Sequence, residues 1–420
     1  MSRRNIVLIA NEPWEHFTWR RRHHTAWALA KDNKVLFVEP PASVSSHLRD
    51  GNLSWRQLRN LGRLKHQGRG LYSFSPFKLL PLSLPFSERL DLDALNKKLI
   101  FSQLKRYARR LEMERPVLWV FFSDRQYEYY GLLDEVFTVG DIYDKFTAPT
   151  WEGMPSESVE RLRQKQETLL RRADVVFTVS QALFDELSEM HRNVYLVPNG
   201  VDYESFENCD LSSLTPALHS RLKKPVIGFL GMMHYIVDFE LLDHIAERRP
   251  EWTLLLMGKD NIHCAADRKV FNRLKARKNV VWRGELGRKN IPAFLKLVDV
   301  CIIPKKRLEL NRYANFLKVW EYLAAGKPIV SVDVGTPFEY PELIRVAASK
   351  EAFLENIEKA LEEDRGEGLS ERRRNIAKDN SWRSRVKLML GIIDGEMQTL
   401  PGDREANKDE PLAKVQPMSP

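Results

Sequence analysis

Short apolar runs alternate with stretches of helical periodicity along most of the chain. "NIVLIA" (5–10) is followed by "RRHHTAWALAK" (21–31) and "KVLFVEP" (34–40). Unbroken apolar runs suit strands buried on both faces, and the segment between them has its apolar residues at helical spacing. The order predicts a βαβ unit of a parallel sheet. Residues 41–87, rich in Pro, Ser, Gly and Arg, predict irregular structure and close with "FSPFKLLPLSLPFS". Helical pattern resumes over 88–113. Strands are then predicted at 116–122 and 135–143, a helix near 156–172, a strand at 173–180 and a helix from Gln181. "NVYLVPNGVDYESF" (193–206) predicts a last strand and a turn.

A second series repeats this rhythm after a polar stretch, 207–224, that contains Pro216. Its strands are predicted at 225–231, 252–258, 279–286 and 299–304, with helices from Asp238 to Glu247 and over 291–298. In "NFLKVWEYLAAGKPIV" (315–330), Leu317, Trp320, Leu323 and Ala324 recur at helical spacing, Gly326 and Pro328 stop the helix, and a strand begins at Ile329. The expectation is an α/β protein with an N-terminal domain over 1–206, a linker over 207–224 and a C-terminal domain over 225–376. A helix over 377–398 is expected to return to the first domain. Residues 399–420, charged and aperiodic, are expected to be disordered.

Composition supports this and narrows the partners. At 420 residues the chain exceeds what one core usually covers. Cys209, Cys264 and Cys301 lie far apart in no metal-ligand spacing, which predicts a reducing compartment and neither disulfide scaffold nor zinc site. The five-residue apolar run at the N-terminus is too short for a signal peptide, and no stretch approaches the ~18 apolar residues of a membrane span. A cytoplasmic location follows, peripheral at the inner face of the plasma membrane at most. Net charge is +9, yet residues 1–110 hold 21 Lys and Arg against 8 Asp and Glu. A basic first third predicts an anionic partner, such as a membrane surface or a phosphorylated substrate, unless it is merely solvated. Nucleic acid is disfavoured, because no aromatic recognition module is interleaved with the charge.

Several chemistries are excluded by what the turns lack. The first βα turn, "NEPWEHFTWR", has no glycine to admit a pyrophosphate, and no "GxxxxGK[ST]", "GxSxG" or "HExxH" occurs. No metal or other cofactor is expected. In the second series "GFLGMMHYIVD" places Gly231 at the carboxyl end of a strand, where it either admits a phosphate or simply makes a tight turn. His234 in that loop is a candidate substrate contact. Lys318 and Glu321, three apart, share one side of a helix, as an ordinary surface ion pair would.

In order along the chain, "VPNGVD", the Gly-ended strand "IGFLG", "VVWRGEL" and "LKVWEYLAAGKPIVS" resemble the landmarks of GT-B glycosyltransferases that use nucleotide-sugar donors. "RRRHHTAWALAKDNKVLFVEPP", "DIYD" and "NSWRSRVKLML" extend the resemblance over residues 5–398, towards the branch associated with teichuronic acid and other extracellular polysaccharides. The resemblance implies two Rossmann-like doubly wound domains facing across a cleft. The acceptor, a glycan or lipid-linked glycan, would bind the first domain and the nucleotide diphosphate sugar the second. Glu321 matches the ribose-binding Glu of the family, and Lys318 the Lys near the phosphates. Gly231, His234, Arg283, Gly284 and Arg312 complete the candidate donor set, Arg312 as a source of positive charge in the loop before the helix. Tyr313 stands where many retaining members carry a second Glu, Met232, Met233 and His234 near the usual Arg–Lys pair, and Phe316 at a usual Pro. Retaining and inverting mechanisms therefore both stay open. Catalytic candidates in the first domain are Asp124, Asp144 and His23, with His24 and Asp141 beside them. The rival readings are an inactive sugar-nucleotide or glycan-binding protein and a sugar-nucleotide epimerase.

Overall fold

The computed structural model describes residues 3–16, 19–42, 62–78, 92–123, 129–148, 155–209, 222–285, 287–335, 338–363 and 368–399. Two units emerge: unit 1 takes residues 1–198 and 386–420, unit 2 residues 199–385. The expected linker and tail fall largely outside the described residues.

Unit 1 runs β1 (Asn5–Ile9), α1 (Arg21–Leu29), β2 (Lys34–Val38), β3 (Lys65–Gly68), β4 (Leu71–Phe74), α2 (Leu92–Arg110), β5 (Val117–Phe121), β6 (Phe137–Ile142), α3 (Ser156–Arg172), β7 (Val175–Thr178), α4 (Gln181–Ser188) and β8 (Val194–Leu196). They form one sheet in the order β3-β4-β2-β1-β5-β6-β7-β8. Every pairing is parallel except β3 with β4. The central strands β5 and β6 are buried along their length, and β5 reads as an unbroken apolar run for that reason. The β3–β4 hairpin corrects the expectation of irregular structure throughout 41–87. "KHQG" has no apolar residue and "LYSF" is only four residues long, so neither stands out by pattern.

Unit 2 contains α5 (Tyr203–Glu207), β9 (Val226–Leu230), α6 (Phe239–Arg248), β10 (Thr253–Met257), α7 (Ala265–Lys275), β11 (Val280–Trp282), α8 (Ile291–Leu297), β12 (Val300–Ile303), α9 (Leu317–Ala324), β13 (Ile329–Val332), β14 (Ile344–Ala347), α10 (Lys350–Glu363) and α11 (Leu369–Asp379). Its six strands are all parallel, in the order β11-β10-β9-β12-β13-β14. Helices cover both faces: α6, α7 and α10 pack on one core, α8 and α9 on the other. Both units are thus doubly wound α/β sheets of the Rossmann kind.

The unit boundaries differ from those read in the sequence. Residues 199–206 belong to unit 2, because Val201 is buried in its core with Tyr203 and Phe206 against it. The predicted 377–398 helix is instead the end of α11 and a separate helix, α12 (Trp382–Thr399). From Val386 onward α12 belongs to unit 1, where Val386, Met389 and Ile393 are buried in its core at helical spacing. Glu396 then accepts hydrogen bonds from Asn193 Nδ2 at 2.9 Å and from the Tyr195 hydroxyl, and Asp394 pairs with Arg4.

Candidate active site

In unit 2 the chain leaves β9 for β10 and β11 on one side, then crosses to β12, β13 and β14 on the other. The crevice between β9 and β12 is therefore the switch point of the sheet, the place where open α/β sheets bind ligands. The two strands pair only through Ile227–Val300 and Gly228–Cys301, whereas β9 and β10 pair over five residues. Beyond that point Tyr322 of α9 fills the opening. Its buried hydroxyl accepts from the Leu230 N–H at 3.0 Å and donates to the Ile302 carbonyl at 3.4 Å.

The loops above the crevice are sewn to one another by backbone bonds. Gly231 N–H donates to Met257 O (2.8 Å) and Met233 N–H to Lys259 O (2.9 Å). On the other side Asp238 N–H donates to Pro304 O and Lys306 N–H to Ile236 O, both at 2.8 Å. Asp238 also caps α6, its Oδ1 accepting from Leu241 N–H at 2.9 Å. Gly258 has φ +151°, and a Cβ there would lie 1.7 Å from the Gly231 carbonyl oxygen, so only glycine lets the two loops touch. Gly258 N–H donates in turn to Gly284 O at 2.6 Å.

The expected donor residues all lie at this carboxyl edge of the unit 2 sheet. Gly231 and His234 follow β9, and Arg283 and Gly284 follow β11. Arg312 lies in the 3-10 turn Glu309–Tyr313 that leads from β12 into α9, and Lys318 and Glu321 lie on α9 itself. Lys318 Nζ and Glu321 Oε2 are 2.7 Å apart, with side chains 27% and 18% exposed. They are paired yet reachable, so a bound diol and diphosphate can take over both partners. Arg283 is exposed, as is Arg312, whose guanidinium lies 5.4 Å from the Tyr313 ring centre. Lys305 Nζ sits 3.6 Å from the Phe316 ring centre. Arg307 pairs with Asp333 at 3.0 Å.

Two supports of α9 escape sequence reading. One is Tyr322. The other is a reciprocal amide pair: Asn199 N–H donates to Asn315 Oδ1 at 3.0 Å, and Asn199 Nδ2 to Asn315 O at 2.7 Å. Asn315 Oδ1 also accepts from Trp320 Nε1 at 3.1 Å, which ties the entry of α9 to the "VPNGVD" turn. The quoted motif was the available signal, but its partner lies 116 residues away.

The first-domain candidates fare differently. Asp124 lies outside the described residues. Asp144 is exposed just past β6, its Oδ1 accepting from Lys145 N–H at 2.9 Å. His23 is fully buried, its Nδ1 accepting from Arg20 N–H at 3.2 Å and its Nε2 3.0 Å from Pro13 O. With both nitrogens engaged it is a packing residue, which corrects its place among the catalytic candidates. Asp141 is buried too, paired with Arg21 at 2.8 Å and accepting from Trp119 Nε1 at 3.3 Å. Arg21 and Arg22 are 2% and 1% exposed, so two cations of the expected basic surface are internal. Among the described residues no three His, Cys, Asp or Glu cluster as metal ligands would, and no helix is long and apolar enough to cross a membrane.

Residues 224–363, almost the whole doubly wound sheet of unit 2, match the family Glycosyl transferases group 1. A putative teichuronic acid biosynthesis glycosyltransferase, TuaH of Bacillus subtilis (strain 168), is 28% identical over 400 residues, covering 90% of this chain and 94% of that protein. Sucrose-phosphate synthase from Thermosynechococcus elongatus superposes with a TM-score of 0.67 at 14% identity, over 95% of this chain and all of that one. Anabaena Alr3699/HepE, in complex with UDP-glucose, gives 0.63 at 13% identity, over 93% and 100%. With the switch-point helix and its Lys–Glu pair lying inside the segment similar to that family, the chain has the GT-B fold and is a glycosyltransferase.

Proposed function

We propose that this enzyme moves a sugar from a nucleotide diphosphate sugar, held on unit 2, to a glycan or lipid-linked acceptor during assembly of a cell-surface polysaccharide. The Lys318–Glu321 pair over the β9/β12 switch point carries the donor half. Glu321 accepts from the ribose hydroxyls, and Lys318 meets the negative charge that grows on the departing diphosphate. Gly231 lets the phosphates approach the backbone, with His234, Arg283, Gly284 and Arg312 around them. No metal is needed where cationic side chains supply the charge. The likeness to TuaH supports the pathway, and the UDP-glucose bound by HepE supports the donor class. Work at the inner membrane face is supported by the basic excess of residues 1–110, less Arg21 and Arg22. Asp124 and Asp144 remain the catalytic candidates of unit 1.

Calorimetry with UDP, GDP, ADP and CDP tests the donor half. One of the four should bind, and Glu321→Ala should weaken it by ~1.5–3 kcal/mol, about ten- to a hundredfold, without lowering the melting temperature. Unchanged affinity in the variant, or no binding to the parent, refutes the assignment.

A further inference from the structure

Unit 1 has a switch point of its own. β1 and β5 are neighbours, with β2, β4 and β3 on one side and β6, β7 and β8 on the other. Asn11 and Glu12 follow β1 after Ala10, and Tyr143 directly follows β6. The Tyr143 ring packs against Phe121, the last residue of β5, with centres 6.2 Å apart. Its hydroxyl thereby reaches across β5 to Asn11, whose Nδ2 donates to it at 2.7 Å. Arg22, from the first turn of α1, lies over the same ring at 4.8 Å and donates from Nη1 to the hydroxyl at 2.8 Å. Its Nη2 and Nε face Glu12 Oε2 at 3.0 and 3.3 Å, while Glu12 Oε1 faces Arg20 at 3.3 Å.

Burying a guanidinium costs several kcal/mol, and apolar residues would serve a core better. Here the buried Arg22 fixes the orientation of a carboxylate and a phenol at the edge where sheets bind ligands. What remains available is specific. Glu12 is 17% exposed, and a carboxylate has about four acceptor positions, more than its arginines use. Asn11 Oδ1 is buried and accepts no hydrogen bond among the described residues. The Tyr143 oxygen accepts twice and keeps its own O–H to donate; burial raises its pKa, so that proton stays in place. Two acceptors and a donor, fixed side by side, match the hydroxyls of a sugar, each of which both gives and takes a hydrogen bond.

We propose that Asn11, Glu12 and Tyr143 form the acceptor-sugar site of unit 1, with Glu12 accepting from a hydroxyl of the acceptor glycan. The assignment rests on the glycosyltransferase reading, but its test does not depend on the donor site. The full-length protein is applied to a printed array of oligosaccharides with neutral, N-acetylated and uronic-acid residues. The parent should be retained on one or more of them. Glu12→Gln and Tyr143→Phe should each cut that retention at least tenfold, and Glu12→Asp should restore part of it. Tyr143→Phe keeps the ring beneath Arg22, so it reads the hydroxyl even if Glu12→Gln fails to fold. Nucleotide diphosphate binding, measured in parallel, should stay within twofold in both variants. Unchanged retention in Tyr143→Phe, retention lost only together with nucleotide binding or melting temperature, or no retention of the parent on any glycan overturns the proposal. Glycan retention without nucleotide binding would instead sink the donor assignment and leave this one standing.

Discussion

The imidazole of His23 has no nitrogen left for a proton. Arg20 N–H occupies Nδ1, so Nε2 carries the hydrogen and donates it to the Pro13 carbonyl. Trp14, Trp19 and Phe37 surround the ring, with centres 5.6–6.0 Å away. Burial therefore lowers its pKa from 6.5 to about 4. Above pH 6.5 it is neutral in both folded and unfolded chains. Between 6.5 and about 4 the unfolded chain takes up a proton that the folded one refuses, so this contribution to stability is lost as pH falls, about 3 kcal/mol in all. Urea unfolding at pH 7 and at pH 4.5 should show a smaller loss in His23→Gln than in the parent. Equal losses would mean that the ring is not buried as described. The sequence announces the type and the helix of His23, but not what encloses it; Pro13, Trp14, Trp19 and Phe37 all lie outside that helix. Arg21 and Arg22 make the same point. Their charge was legible and their direction was not, because both turn inward to Asp141, Glu12 and Tyr143.

At the scale of elements, most of the scaffold could be read directly. β1, β5, β9, β10 and β12 are unbroken apolar runs because both their faces are covered, and α9 announces itself by spacing and by its Gly326 stop. Lys318 and Glu321 could be placed on one side of α9 from spacing alone. What fixes that helix to the sheet could not, since Tyr322 looks like any other aromatic residue on a buried face. Its hydroxyl bridges two strands whose own pairing has ended, so α9 is held at the crevice by hydrogen bonds as well as by packing. Tyr322→Phe leaves the Leu230 N–H buried without that partner, at a cost of ~1–3 kcal/mol. Thermal unfolding should register this loss. Nucleotide diphosphate affinity should fall with it, because Glu321 is the adjacent residue. A destabilised variant with parental affinity would show that the bridge serves the sheet and not the site.

For the whole molecule, the decisive fact is that unit 2 is one continuous piece and unit 1 is not. Val386, Met389 and Ile393 close the core of unit 1 from the far end of the chain, each worth ~1.5–3 kcal/mol when buried. Together they approach the 5–15 kcal/mol that typically holds a domain folded. A chain ending at Arg385 should lose unit 1 while keeping unit 2, visible as protease sensitivity confined to residues before 199. Uniform resistance would mean that α12 is dispensable. The same interleaving governs how the protein is made. Roughly 190 residues separate the end of the first segment from Val386, which at ~5–20 residues per second is about 10–40 s of translation. Through that interval the ribosome carries a sheet whose apolar surface awaits its last helix, and the unit begun later is complete before that helix emerges. The part of the enzyme that is started first is the last to be finished, and it is the part a chaperone must shield.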